Sequence, residues 1–376
     1  MGDGIKLGRP FGIQITIQPS WFIIMVVLTW SLATVVFPST FMGSQATYWV
    51  VGGLASLLLF ASVLVHELAH SLVARAQGIR VKGITLFLLG GVSSIEDDPS
   101  SPGREALLAG VGPLTSLLLG GVLIVAGFAL RAPASVHVLL IYLGSMNAIL
   151  AAFNMLPGFP LDGGRVLRAI LWARWNDPER ATRGSAQVGR ALGYVMMAGG
   201  AVLLVAMGNL FGGLWIGFIG WMLIRASQAA IQAAVVERRL SGVRVTRLMT
   251  KPVAWVPPYV TLESAAHDYL LANDAQCLPV QGGEQGEFDG VICLSDMQRT
   301  ASAAWGRDRV LDVMTRREDT PVIAPDRPAM EAFKLLATTH VDRIAVLAHG
   351  HLLGLVDRAA AFEYLQRRDL VESRRA

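Results

Sequence analysis

His66-Glu67-Leu68-Ala69-His70 is the stretch of this chain whose residue types and spacing can do chemistry. On an α-helix, side chains four positions apart stand on one face, one turn above the other, so the two imidazoles can converge on a single ion. That is half of a tetrahedral zinc site. Glu67 is beside the first His, about 100° round the helix, where it can hydrogen-bond a metal-bound water without ligating the metal. This is the position of a general base. The setting sharpens the signal, because between Tyr48 and Arg75 the two His and this Glu are the only ionisable side chains. An ionisable group in lipid costs several kcal/mol and marks function by default.

A catalytic zinc needs a third protein ligand and an open position for water. Asp162 is the candidate, because it follows Pro157-Gly158-Phe159-Pro160, which must break an apolar run. Unwound backbone at membrane depth is tolerated where it lines a polar cavity. Asp162 can equally act as the N-cap of the helix that restarts there, and the two roles are compatible.

These residues need long apolar elements to hold them. The chain has 376 residues, 53% hydrophobic and 16% charged, which describes an integral membrane protein. Apolar runs stop near Ala234, and the composition beyond is that of a soluble domain. The expected division is a membrane domain over 1–236 and a soluble domain over 237–376, with a boundary at Glu237-Arg238-Arg239. The net charge is only +4, and the basic residues cluster at the ends of apolar runs, so nucleic-acid binding has no support. Cys277 and Cys293, both in the soluble part, read as ordinary reduced thiols. The amino terminus lacks the pattern of a cleaved signal peptide, so the first apolar run is expected to remain as an anchor.

Six spans are expected, over 21–37, 48–76, 105–130, 136–155, 188–207 and 210–234. Residues Gly12 to Gln18 alternate apolar and polar and read as a strand. Arg80 to Leu89 and Val92 to Ile95 read as a hairpin about a Gly90-Gly91 turn, with the Ile13 to Ile17 strand as a possible partner. Exposed strand edges cannot face lipid, so this small sheet belongs at the interface or in a watery cavity. The loops at Pro38 to Thr47 and Met207 to Gly213 contain no Lys or Arg. The opposite side collects Arg75, Arg80, Lys82, Arg104, Arg165, Arg168 and Arg238 among others. The positive-inside rule then puts both termini in the cytoplasm. His66 falls about ten residues, roughly 15 Å, from the cytoplasmic end of its span.

The soluble part repeats itself: Val245-Thr246-Arg247-Leu248-Met249-Thr250 recurs as Val310-Leu311-Asp312-Val313-Met314-Thr315. Each copy continues through extended sequence, an amphipathic helix (Leu262 to Asn273, Ala329 to Thr338) and short apolar runs, which implies two α/β units, about 243–302 and 308–368.

The membrane part resembles the site-2 protease family of intramembrane zinc metalloproteases. The resemblance rests on Asn154-Met155-Leu156-Pro157-Gly158-Phe159-Pro160-Leu161-Asp162-Gly163-Gly164-Arg165, which follows His66-Glu67-Leu68-Ala69-His70 by about 90 residues. It covers Gly4 to about Ala234 and includes the early strand, Gly90-Gly91-Val92-Ser93 and Gly112-Pro113. The resemblance implies one zinc per chain held by His66, His70 and Asp162, a water activated by Glu67, and substrate backbone held by Asn154. The hairpin at Gly90 and Gly91 would take an unwound substrate by β-augmentation. Family members often carry Asn three residues after Gly-Pro, where this chain has Ser116. The implied substrate is a single-span membrane regulator, such as an anti-sigma factor, in a cell membrane whose lipid surrounds the enzyme.

The repeat is similar to a tandem pair of cystathionine-β-synthase-type (CBS) domains, which one subgroup of that family carries. Such pairs associate through their helices, so a homodimer through the CBS domains is implied. Those that bind adenine nucleotide use a Thr or Ser three residues before an Asp. Here the first copy has Cys293 and Asp296 and the second Asp357 and Ala360, so Asp296 is the one intact ribose-type acid. The fold class is therefore a polytopic helical membrane domain with a small β-sheet, plus a cytosolic α/β CBS pair. Two rival functions are a CBS-regulated ion transporter and a zinc-binding scaffold that does not cut. Glu67 beside the ligands has no use in a transporter, and the six spans show no inverted repeat.

Overall fold

A computed structural model of the chain describes residues 4–88, 90–95, 98–282, 287–338, 343–357 and 364. It divides into two compact units, Met1–Ala234 and Val235–Ala376.

Among the described residues, six helices are long and apolar enough to cross a membrane. Strands β1 (Ile5–Gly8) and β2 (Gln14–Ile17) precede them. Ile13, Ile15 and Ile17 are buried while Gln14 and Thr16 alternate with them, which is the period-2 pattern of a half-buried strand. Pro19 opens helix α1 (Pro19–Ser31), where its missing N–H costs nothing. The span continues through a π-helical turn and ends at Ser39. Ser44 caps helix α2 (Gln45–Ala76), its Oγ accepting from the Thr47 N–H at 3.2 Å.

Strands β3 (Val81–Phe87) and β4 (Gly90–Ile95) form the expected hairpin. The Gly-Gly pair is not its turn. Phe87 pairs directly with Gly90, so both glycines belong to β4. The sheet order is β1-β2-β3-β4, so the early strand does pair with the hairpin, and it runs parallel to β3.

Helices α3 (Pro102–Ala129) and α4 (Ala134–Asn154) pack closely where Gly120 and Gly144 meet; a Cβ on either would fall 2.8 to 2.9 Å from the other's carbonyl oxygen. After the break comes the short α5 (Asp162–Trp175), then α6 (Pro178–Val205) and α7 (Leu210–Leu240). Helix α6 begins ten residues before the apolar run does. Its polar first turns are helical because the Asp177 carboxylate accepts the Arg180 N–H and Glu179 pairs with Arg183.

Arg168 of α5 ties three helices together. Its Nη1 donates to Glu105 Oε1 of α3 at 2.6 Å and its Nε to Thr182 Oγ1 of α6 at 2.8 Å, all three residues being buried. A charge taken this far from water is tolerated because its donors are matched by an anion and a hydroxyl.

Among the described residues of the second unit there are two sheets, β5 (Cys277–Gly282), β6 (Glu287–Cys293) and β7 (Thr315–Arg316) in one, and β8 (Val322–Ile323), β9 (Arg343–Ala348) and β10 (His351–Asp357) in the other. The first amphipathic segment is helical from Leu262 but π-wound over Ala265–Leu271, and the second is the α-helix Ala329–Thr338. Cys277 and Cys293 correct the expectation of two free thiols. The β5–β6 register sets them directly opposite, with Cα atoms 4.1 Å apart, and they are joined as a disulfide. Compartment and cysteine count favoured reduced thiols, but strand register decides which side chains meet.

Candidate active site

His66 and His70 stand one turn apart near the carboxyl end of α2, both about 95% buried. Asp162, from a helix 92 residues further along, reaches the same point: its Oδ2 lies 3.2 Å from Nε2 of His66 and 3.2 Å from Nε2 of His70. The two Nε2 atoms are themselves 3.2 Å apart. Asp162 does not cap its helix. Leu161 is the N-cap, and Asp162 is the first helical residue, with its carboxylate turned to the histidines.

The break before α5 is what brings Asp162 there. Gly163 and Gly164 lie against the unwound backbone, where a Cβ would collide with the Met155 carbonyl and with Gly158. The carbonyl of Phe159, freed by the break, accepts from Ser227 Oγ at 2.7 Å, and Ser185 Oγ donates to Gly164 O in the first turn of α5. Irregular backbone persists in a membrane protein only when satisfied in this way.

The outer ring nitrogens are both held by the protein, and for His70 the partner sets the tautomer. His70 Nδ1 donates to the Leu108 carbonyl at 2.7 Å, and His66 Nδ1 lies 2.9 Å from Ser116 Oγ. In the neutral ring the His70 Nε2 then carries a lone pair aimed at the Asp162 carboxylate oxygen, which is repulsive unless a cation or a proton sits between them. Three atoms with 3.2 Å edges also match zinc. Ligands about 2.0 Å from a tetrahedral ion lie roughly 3.3 Å apart. Among the described residues this is the only group of His, Cys, Asp and Glu so arranged. Gly112 of α3 covers it, since a Cβ there would fall 2.7 Å from His66 Nε2 and closer still to His70. The donor set, the spacing and the room beside Gly112 all fit zinc.

Glu67 lies beside this cluster with its Oε2 2.7 Å from Ser93 Oγ of β4. Gly91 backs onto the same side chain, its missing Cβ position 2.7 Å from Glu67 Cγ, and Gly90 opens the strand with φ +134°. Asn154 is the last residue of α4, half-buried, with no side-chain hydrogen bond among the described residues. Asp296 lies in the second unit, where its Oδ2 accepts the Cys293 N–H at 3.1 Å. Ala360 falls outside the described residues. Sequence reasoning passed over Leu108 and Ser71, and it saw Ser116 only as a departure and Gly112 and Ser93 only as parts of a resemblance. A carbonyl acceptor has no sequence signature, and a lone Ser in an apolar helix reads as packing.

The family model for peptidase family M50 matches residues 54–133 and 128–196, and that for the CBS domain matches 245–302 and 310–367. The chain belongs to peptidase family M50: it is a multi-pass membrane zinc metalloprotease of the site-2 protease type with tandem CBS domains. Among its relatives, Rip3 of Mycobacterium tuberculosis, whose name places it among the zinc metalloproteases, is 34% identical over 361 residues, 95% of this chain and 91% of that one. Zinc metalloprotease MJ0392 of Methanocaldococcus jannaschii is 27% identical over 364 residues, 95% of each. The solved site-2 protease of the same archaeon is 26% identical, with a TM-score of 0.42 over 61% of this chain and 95% of that one.

Proposed function

We propose that this protein cuts the transmembrane segment of a single-span regulatory protein from within the cell membrane, with both of its own termini cytoplasmic. The observation that carries the reading is the convergence of His66, His70 and Asp162 at 3.2 Å beside an acid that ligates nothing. In this reading the three side chains hold zinc and Glu67 is the general base. Zinc, when bound, supplies a Lewis acid that polarises the scissile carbonyl and acidifies water. Glu67 takes the proton of the attacking water and returns it to the leaving amine.

A helical substrate hides its carbonyls in its own hydrogen bonds. It must unwind to be cut, and the outer edge of β4, beginning at Gly90 and Gly91, offers it backbone partners. Asn154, half-buried where α4 gives way to the break, keeps an amide free for substrate backbone. A site nearer the cytosolic side gains access to water. Release of a regulator such as an anti-sigma factor is the expected product, as in regulated intramembrane proteolysis. Capture with the Glu67→Gln protein tests this: single-span membrane proteins should be recovered, and recovery of soluble proteins alone overturns the intramembrane assignment.

The CBS pair is read as a dimerising module that can modulate the protease. Its first nucleotide position is altered, because Cys293 is in a disulfide and Asp296 caps its own turn. A nucleotide regulates only if it binds two enzyme states with different affinity. Any adenine-nucleotide effect should vanish in Asp296→Ala with zinc content unchanged. Absence of ATP, ADP and AMP binding at millimolar concentration assigns the pair to dimerisation or substrate docking.

A further inference from the structure

Strand β4 touches the catalytic helix through a side chain as well as offering an edge. Side chains along a strand alternate, so Gly91 and Ser93 share one face. Their partners on β3, Leu86 and Ile84, are buried, which turns this face of the hairpin toward α2. Ser93 Oγ lies 2.7 Å from Glu67 Oε2 and 3.1 Å from the Glu67 carbonyl oxygen. It also accepts from Ser71 Oγ at 3.2 Å, a fully buried hydroxyl one turn further along α2.

Ser93 has one proton to give. The shorter contact, to a carboxylate, is the stronger. The Ser71 donor fills a lone pair of Ser93 and aligns that proton. Gly91 closes the other side, leaving no room for a side chain next to Glu67 Cγ. One carboxylate oxygen is thereby fixed, and Oε1 is left for water.

We infer that Ser93 is the positioning residue of the general base, and that Ser71 orients it. The inference rests on the reading of Glu67 given above. It adds that the strand whose outer edge would take the substrate also carries the hydroxyl that aims the base. A substrate that pairs with β4 therefore braces the same strand that sets the direction of Glu67.

The test uses full-length, zinc-loaded protein and the pair Ser93→Val and Ser93→Thr, which share a shape and differ by the hydroxyl. With a synthetic single-span peptide as probe, Ser93→Val should lose about 10- to 100-fold in kcat at unchanged KM and zinc content. Ser93→Thr should stay within about threefold of wild type, because it keeps the donor. An infrared difference spectrum, wild type minus Glu67→Gln, isolates the Glu67 carboxylate stretch. That band should shift in Ser93→Val and hold its place in Ser93→Thr. Unchanged kcat or an unshifted band in Ser93→Val overturns the inference, as does an equal loss in Val and Thr, which would mark packing alone. Cleavage surviving in Glu67→Gln would instead remove the general-base reading, while the band still reports whether Ser93 holds the carboxylate.

Discussion

Glu67→Gln should keep about one zinc per chain and lose at least ~10³-fold in turnover of a single-span peptide. Glutamine has the shape of glutamate and can still accept from Ser93, so the packing against Gly91 survives. What it lacks is a basic oxygen to receive a proton from water. Glu67 is not among the three side chains that converge, so metal content has no reason to fall. Metal analysis and peptide cleavage on one preparation check both halves. Retained activity would place the base elsewhere. Loss of zinc together with activity would make Glu67 a ligand, against the geometry.

Loss of a converging side chain should produce the opposite pattern. His66→Ala or Asp162→Ala is expected to lower zinc affinity by more than about 100-fold, since removing even an outer-shell partner costs 10- to 100-fold. Activity should fall with occupancy. Asp162 decides the matter, because it comes from a different helix and its position depends on the break. Competition against a graded chelator series, followed by metal analysis, gives the affinities. If Asp162→Ala keeps full zinc and full activity, the third ligand is another group.

Much of this site could be read from local pattern. The two histidines and Glu67 sit within one helical turn or so, and helix period alone fixes how they stand. The spans were legible because runs of about 20 apolar residues have few other uses. Asp162 was harder. Nothing local ties it to His66, and the clue was a Pro-broken run with an acid behind it; the collisions of Gly163 and Gly164 with the folded-back chain explain why glycines follow that acid. The contacts that hold the outer histidine nitrogens were not legible at all, since one is with the Leu108 carbonyl and the other with Ser116, known only as a substitution. The Gly-Gly pair misled for a physical reason: glycine suits a turn, but it also suits a strand residue at positive φ, as Gly90 is, or one pressed against a side chain, as Gly91 is against Glu67. The cysteines were misjudged because two thiols 16 residues apart say nothing until the strand register between them is known.

The parallel pairing of β2 with β3 bears on how the chain is assembled. Parallel neighbours need a long crossover, and here it consists of α1 and α2, two successive passages through the bilayer in opposite directions. Residues Gln14 to Ile17 leave the ribosome first and cannot find Gly83 to Leu86 until both passages are complete. If either helix failed to insert, or inserted backwards, the two strands would be on opposite sides of the membrane and the sheet could not close. The hydrogen bonds of four residues thus check the parity of insertion. The hairpin that holds Glu67 is completed against β2 only in chains that have passed that check.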